Sequence, residues 1–124
     1  MIIGDTLRSL RLNKMKLSDR QKLAVHRCDS AQKILLDKGL EYSLDKDCLS
    51  SFKEIAEFLG LSPFQVWFVY FYKHFAVIKN AIKNYPSDPV KGIKSETLDS
   101  RMNDLHNYLI IFEALIHDNE KEEK

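Results

Sequence analysis

The chain contains few glycines, prolines and cysteines, and these shortages exclude several classes of fold. Only 4 Gly and 3 Pro occur among 124 residues, whereas all-β sandwiches and barrels need turn residues about every 8–12 positions. The 2 cysteines, Cys28 and Cys48, are too few for a disulfide scaffold and match no metal-binding spacing. The composition therefore favours a single helical domain with reduced thiols.

Net charge is almost absent, because 19 Lys and Arg oppose 18 Asp and Glu and leave +1. This balance excludes a protein that binds nucleic acid through bulk positive charge. The most hydrophobic window, residues 64–82, is interrupted by Lys73, His74 and Lys79, which favours a buried helix over a membrane span. Asp5 interrupts the apolar run that a signal peptide requires. We therefore expect a cytoplasmic protein that does not contact membranes.

The spacing of apolar residues predicts an all-α domain, a bundle of four or five helices. We expect one folded domain over residues 18–118, preceded by a basic arm or short helix (1–17) and followed by a frayed tail (119–124). The first helix is expected to begin near Ser18 or Asp19 and to run to about Asp37, with Lys38-Gly39 as its stop signal. Four residues at 4-3-4 spacing form its predicted buried stripe: Ala24, Cys28, Ala31 and Leu35.

Capping signals mark the ends of the second helix. A polar loop is expected over residues 41–47. Ser51 and Glu54 then form the S-x-x-E pattern of a capping box. Gly60 follows the last apolar residue of this helix and is expected to end it, since glycine accepts the left-handed conformation common at helix stops.

Proline and serine mark the ends of the last two helices. Ser62 and Pro63 predict the start of the third helix, and the proline-containing loop 84–89 ends it. Ser95 is expected to cap the last helix. The buried stripe predicted for that helix consists of residues at 4-3-4-3-4 spacing: Leu98, Met102, Leu105, Leu109, Phe112 and Ile116.

Residues 52–69 also fit the helix-turn-helix template of DNA-binding proteins, because Ala56, Gly60 and Val66 have the required spacing. The second helix of such a unit must present polar side chains to base edges. Residues 64–71 are mostly aromatic or aliphatic instead, so DNA binding is the weakest alternative. This run is better interpreted as a core, an oligomer interface or a surface for a partner protein. We expect an assembly larger than a monomer.

Acidic residues spaced three apart form candidate metal sites. Glu54 and Glu57 share one face of the second helix, and Glu96 with Asp99 repeats this spacing near the last helix. Such carboxylates can bind Mg²⁺ together with a substrate phosphate. Capping explains Glu54 equally well, and the helix dipole explains Glu96 and Asp99. Both interpretations remain open from the sequence.

Two further polar pairs suggest a binding site. Asp104 and Asn107 lie in the middle of the last helix, where their types have poor helix propensity. Arg101 precedes Asp104 by three residues and is a candidate ion-pair partner. Lys73 and His74 lie within an aromatic run, and such cations are rarely buried without a partner. Their partner is either Asp104 or the phosphate of a ligand.

Together these positions resemble a known family. The most specific segment begins at Ser95 and has the pattern S-E-x-L-x-x-R-x-x-D-x-x-N-Y-L. Further matching positions precede it: Glu41-Tyr42, Asp47, Leu49, Phe52-Lys53, Gly60 and Lys73-His74. Over residues 28–117 the chain resembles small phage-encoded proteins that are grouped with the nucleotide-modification-associated, MazG-like domains.

This resemblance implies a nucleotide ligand. MazG-like domains are similar to all-α nucleoside triphosphate pyrophosphohydrolases, which hold Mg²⁺ with an E-x-x-E pair and a later E-x-x-D pair. The implied Mg²⁺ ligands are Glu54, Glu57, Glu96, Asp99 and Asp104, of which Glu57 and Asp104 are catalytic. The implied nucleotide-binding residues are Lys73, His74, Arg101, Asn107, Trp67, Tyr72 and Tyr108.

Two functions follow from the resemblance. In the first, water attacks a nucleotide phosphoryl group while Mg²⁺ stabilises the developing charge. In the second, the protein sequesters a nucleotide-derived immune signal without cleaving it, as an anti-defence protein does. In the family's second motif, E-x-x-D, a Glu stands three residues before the Asp. Here Arg101 takes that position before Asp104, and replacing a carboxylate by a cation favours nucleotide binding without cleavage.

Overall fold

The computed structural model describes residues 15–43, 47–94 and 96–123, except for the side chains of residues 39–43, 122 and 123. Its elements are four α-helices and one 3₁₀ turn: α1 (Leu17–Ser43), α2 (Ser50–Leu59), α3 (Pro63–Asn84), the 3₁₀ turn (Pro89–Gly92) and α4 (Leu98–Glu123). No strand occurs within these ranges, so the predicted all-α class is confirmed. None of the described helices combines the length and hydropathy that a membrane span requires.

Helix α1 packs along one side of α4. His26 of α1 contacts Asp99 near the start of α4, and the carbonyl of Ala31 accepts a hydrogen bond from Asn107 two turns later. The contacts advance along both helices in the same direction. Helices α1 and α4 are therefore parallel.

Helix α3 packs on a different side of α4 and runs antiparallel to it. Near the start of α3, Trp67 Nε1 donates a hydrogen bond to the Tyr108 carbonyl at 2.6 Å. Further along α3, His74 contacts Arg101, which lies earlier in α4. Helix α2 and the 3₁₀ turn both pack on α3, and Lys53 of α2 also reaches α4, where its Nζ lies 2.8 Å from Asp118 Oδ2.

The turn between α2 and α3 forms as predicted. Gly60 adopts the left-handed conformation, with φ 69°, and the Leu61 N–H donates to the Ala56 carbonyl at 2.9 Å. Ser62 Oγ then accepts from the Gln65 N–H at 3.2 Å, while Gln65 Oε1 accepts from the Ser62 N–H at 2.8 Å. This reciprocal capping box confirms the predicted start of α3.

The predicted start of α2 is wrong. The N-cap residue is Leu49, and no side chain caps the helix, so Ser51 and Glu54 do not form a capping box. Instead, Asp47 Oδ1 accepts a hydrogen bond from the Leu49 N–H at 2.9 Å and shapes the preceding turn. Leu49 is 6% exposed, and with this residue buried in the core the N-cap lies two residues before the predicted Ser51.

Two predictions for α1 are also wrong. The helix continues through Gly39 to Ser43, because an interior glycine costs only about 1 kcal/mol relative to alanine and no proline follows it. Ala24 and Cys28 of the predicted buried stripe are exposed. Ala31 is fully buried, as predicted. The face of α1 that meets α4 instead contains His26, Arg27 and Ser30, which contact polar side chains of α4.

The boundaries of α4 differ from those expected. Thr97 Oγ1 accepts from the Ser100 N–H at 3.0 Å and caps the helix. The predicted cap, Ser95, lies outside the described residues, as do residues 1–14 of the predicted basic arm. Glu96 precedes the helix and is not in its first turn. The helix extends through residues 119–123, where we predicted a frayed tail.

The hydrophobic core is small. Its buried centre consists of Leu49, Trp67 and Leu115, each from a different part of the chain. Among the described residues, no large side chain is less than 2% exposed. Leu109 of the predicted α4 stripe is 56% exposed. The fold therefore leaves much apolar surface uncovered by the described residues.

Candidate functional site

Five of the predicted site residues lie together where α3 meets the start of α4. We call this group the α3–α4 polar cluster, and its members are His74, Glu96, Arg101, Asp104 and Tyr108. The spacings of three and four between Arg101, Asp104 and Tyr108 place these side chains on one face of α4. His74 projects from α3 against that face.

His74 is a neutral hydrogen-bond acceptor. Its Nδ1 lies 2.8 Å from Nη1 of Arg101, and since a guanidinium has only donors, Nδ1 must accept. Burial lowers the pKa of His74, the Asp104 carboxylate partly opposes this effect, and the Arg101 charge adds to the lowering. Because Nδ1 accepts from Arg101, the proton of the neutral ring is assigned to Nε2. Asp104 Oδ2 lies 3.5 Å from Nδ1.

The positively charged side chain of this cluster, Arg101, is buried, with 5% of its surface exposed. Besides His74, its guanidinium faces Glu96, with Nη2 and Oε2 3.8 Å apart. That separation exceeds the length of about 2.7–2.9 Å typical of a charge-assisted hydrogen bond. Glu96 also accepts a hydrogen bond from Ser100 Oγ at 3.2 Å. Its side chain is 41% exposed, so it lies at the solvent side of the cluster.

Tyr108 closes the cluster on the core side. Its ring centroid lies 5.1 Å from that of His74. Burial raises the pKa of Tyr108, and the nearby Asp104 charge raises it further, so the phenol is protonated near neutral pH. Trp67, which was predicted to stack on a base, instead packs in the core and donates to the Tyr108 carbonyl.

Asp99 does not belong to this cluster but holds α1 against α4. Its Oδ1 lies 2.9 Å from His26 Nε2 and 2.8 Å from Arg27 Nη1. Burial alone would raise the pKa of Asp99, but the hydrogen bonds from His26 and Arg27 together outweigh burial and lower it. The position of Asp99 is thus explained by these contacts.

Asn107 also faces α1 rather than the cluster. Its Nδ2 donates to the Ala31 carbonyl at 3.0 Å. One turn earlier, Asn103 is 2% exposed, donates to Ser30 Oγ at 2.8 Å and accepts a hydrogen bond from Arg27. The sequence analysis missed this polar interface. Its signal was the polar series at intervals of four on α4, comprising Asp99, Asn103 and Asn107.

The remaining predicted site residues lie apart from the cluster. Glu54 and Glu57 are exposed on α2, and Lys73 is exposed although its neighbour His74 faces α4. Tyr72 is 42% exposed, and its hydroxyl lies 3.5 Å from Lys79 Nζ. Within the parts of the chain that the structure describes, no three His, Cys, Asp or Glu side chains are grouped so that they could hold a metal ion.

Comparisons with known proteins do not identify a function for this chain. No protein-family model, no curated protein and no solved structure matches the chain. The resemblance to MazG-like domains therefore rests on the sequence pattern and stays a prediction. Functional inference depends on the α3–α4 polar cluster and on the exposed surfaces around it.

Proposed function

We propose that the protein binds the phosphate groups of a nucleotide through Arg101 and releases the nucleotide unchanged. The supporting observation is the position of Arg101, which is 5% exposed and contacts His74 of α3 and Glu96 at the solvent side of the cluster. A guanidinium shielded from water forms strong, bidentate hydrogen bonds with phosphate oxygens. The sequence pattern around Arg101, which resembles nucleotide-associated domains, supports the same ligand class.

Glu96 occupies the position through which a phosphate would reach Arg101. It precedes α4, its side chain is 41% exposed, and its contact with the guanidinium is 3.8 Å long. A phosphate carries more negative charge than one carboxylate and can displace it. In this proposal His74 keeps the guanidinium oriented, because its Nδ1 accepts a hydrogen bond from one of the guanidinium N–H groups.

Binding without hydrolysis agrees better with the carboxylate positions. Hydrolysis by Mg²⁺ requires several oxygen ligands around one ion. The five carboxylates implied by the resemblance occupy three places, namely the exposed face of α2, the α1–α4 interface and the α3–α4 polar cluster. Sequestration of a nucleotide-derived signal, as by an anti-defence protein, is the version of the proposal that needs no such ion.

We also propose that the protein self-associates. The support is the amount of apolar surface that the described fold leaves exposed. Phe58 is 88% exposed and Phe68 is 56% exposed, and large exposed apolar side chains gathered into patches are typical of interaction surfaces. Self-association and nucleotide binding are separate parts of the proposal and have separate tests.

The test of nucleotide binding uses a panel of nucleoside triphosphates and cyclic nucleotides, each with and without Mg²⁺. Ligand released from the protein by heat is identified by chromatography. We expect one nucleotide to be depleted from solution and recovered intact, to the same extent in both conditions. Arg101→Gln should weaken its binding at least about tenfold, because a charged hydrogen-bond donor is lost. Arg20→Gln, which changes an exposed arginine on α1, is the matched control.

Glu96→Gln separates a binding role of Arg101 from a purely structural one. It removes the competing charge while leaving the buried residues in place, so affinity should increase. Unchanged or weaker binding in this variant would contradict the assigned position of the phosphate. Formation of pyrophosphate and monophosphate only with Mg²⁺, and its loss in Glu57→Gln, would establish the hydrolase instead. If no nucleotide is depleted, the proposed ligand class is wrong.

A further inference from the structure

Helix α3 carries a second apolar face besides the one that packs on α4. Its residues recur at 4-3-4-3 spacing: Phe68, Tyr72, Phe75, Lys79 and Ile82. We call this set the α3 stripe. Its four apolar members are 56%, 42%, 43% and 52% exposed, in chain order. A repeat of 3.5 residues is typical of a helix face that packs against another helix.

An apolar stripe of α4 lies on the same side of the molecule. On α4, Leu105 and Leu109 lie about a quarter turn around the helix axis from the face that contacts His74. On α3, the stripe lies at a similar rotation from His74, in the same direction of increasing residue number. Because α3 and α4 run antiparallel, equal rotations away from their contact bring both stripes to one side. The rings of Phe64 and Phe112, at the inner edges of the two stripes, meet at 5.9 Å between centroids.

The other described helices leave this side open. Helix α1 packs on α4 around Asn103, and α2 packs on α3, where Phe52 contacts Tyr70. The α3 stripe together with Leu109 exposes on the order of 500 Å² of side-chain surface, since a large aromatic side chain contributes about 200 Å². Two such faces would bury about 1,000 Å², the size at which a specific interface begins.

The α3 stripe is complementary to itself. If two α3 helices pair antiparallel about a two-fold axis at Phe75, Phe68 lies opposite Ile82 of the second copy, and Tyr72 lies opposite its Lys79. Within the chain, Lys79 Nζ already lies 5.9 Å from the Tyr72 ring centroid, a distance suited to a cation–π interaction. The one charge in the stripe therefore meets an aromatic ring from either copy.

We infer that a second copy of this chain covers the face formed by the α3 and α4 stripes. In the resulting dimer, α3 and α4 of both copies form a four-helix bundle around a two-fold axis. This inference rests on the self-association proposed above and is independent of the nucleotide. It identifies the surface, the symmetry and the residue at the axis.

The first experiment measures mass by light scattering at micromolar concentration. The unsubstituted chain is expected at twice the monomer mass of 14.5 kDa, and Phe75→Glu at the monomer mass with unchanged helix content by circular dichroism. Val69→Glu is the matched control, because Val69 is 64% exposed on α3 but lies about a quarter turn from the stripe. It should remain dimeric.

Two results would overturn the inference and are distinguishable. A monomer mass for the unsubstituted chain would refute self-association itself, whatever surface was assigned to it. A dimer that persists in Phe75→Glu would refute this face while leaving self-association intact.

Crosslinking tests the register of the interface without adding a charge. The native cysteines, both exposed, are first changed by Cys28→Ser and Cys48→Ser. In that background Phe75→Cys should form a covalent dimer with a short bis-maleimide reagent, since the two copies of the residue meet at the axis. Asn80→Cys, on an exposed side of α3 away from the stripe, should not. The absence of a Phe75→Cys dimer would place the axis elsewhere and overturn the assigned register.

Discussion

At the scale of single residues, burial determines the charge of His74. The side chain is enclosed between α3 and α4, with Arg101, Asp104, Glu96 and Lys73 as the nearby charges that affect it. Desolvation disfavours the imidazolium more than the two carboxylates favour it, so the pKa falls below 6.5. The neutral ring then serves as an acceptor for Arg101, which a protonated ring could not do.

The lowered pKa of His74 predicts a pH-dependent stability. Well above pH 6.5, the ordinary pKa of the unfolded chain's histidine, both states are neutral and the full stability is present. As the pH falls, the unfolded chain gains a proton that the folded chain does not, so the free energy of unfolding decreases. His74→Gln should flatten this decrease between about pH 7 and pH 5 in chemical denaturation at fixed protein concentration.

The control for this measurement is His117→Gln, since the His117 side chain is 66% exposed on α4. It should retain the slope of the unsubstituted chain. Asp47 and Asp99 have pKa values below 3.8, and their contributions are lost at lower pH than the range measured. Equal slopes for His74→Gln and the unsubstituted chain would show that His74 is not the residue that titrates.

At the scale of helices and turns, local backbone geometry determines where α2 ends. Gly60 has φ 69°, a conformation that costs a residue with a Cβ atom free energy. A Cβ atom built on Gly60 would have no other atom within 4 Å. Any destabilisation by a side chain at this position therefore comes from backbone strain and not from a steric clash.

We predict that Gly60→Ala lowers the free energy of unfolding by about 1 kcal/mol. Gly60→Asn should cost less, because asparagine tolerates the left-handed conformation better than alanine. The midpoints and slopes of urea denaturation curves measure both effects. Equal losses in the two variants would mean that the φ angle is not the cause.

The 3₁₀ turn illustrates a different constraint on an element. A Cβ atom on Gly92 would lie 2.8 Å from Cα of Ala81. Ala81 is itself 2% exposed, so the turn packs directly against the backbone of α3. Here the glycine is required by the close approach of two elements, and the sequence offers no local signal for it.

At the scale of the whole molecule, a small core and an exposed apolar face have a thermodynamic consequence. If a second copy covers the face, folding and association are coupled, and dissociation is favoured by dilution. The melting temperature should then rise with protein concentration over a roughly hundredfold range. Differential scanning fluorimetry or calorimetry measures this directly.

Phe75→Glu should melt at the same temperature at every concentration, because its unfolding is no longer linked to dissociation. Val69→Glu should retain the dependence of the unsubstituted chain. A concentration-independent melting temperature for the unsubstituted chain would contradict coupling of folding to association.

Short-range signals were sufficient for the features that depend on a few neighbouring residues. The helical class, the left-handed Gly60 and the Ser62–Gln65 capping box follow from backbone preferences and hydrogen bonds within one or two turns. The same reasoning failed at the start of α2. There the burial of Leu49, a contact with distant residues, outweighed the capping pattern at Ser51.

The division of polar residues between two sites was decided only by packing. Asp99 and Asp104 are five residues apart on α4, yet Asp99 contacts His26 and Arg27 of α1, while Asp104 faces His74 of α3. A helix turns by about 100° per residue, so five residues separate their directions by roughly 140°. Sequence spacing gives this angle, but only the arrangement of α1 and α3 around α4 determines which neighbour each carboxylate meets.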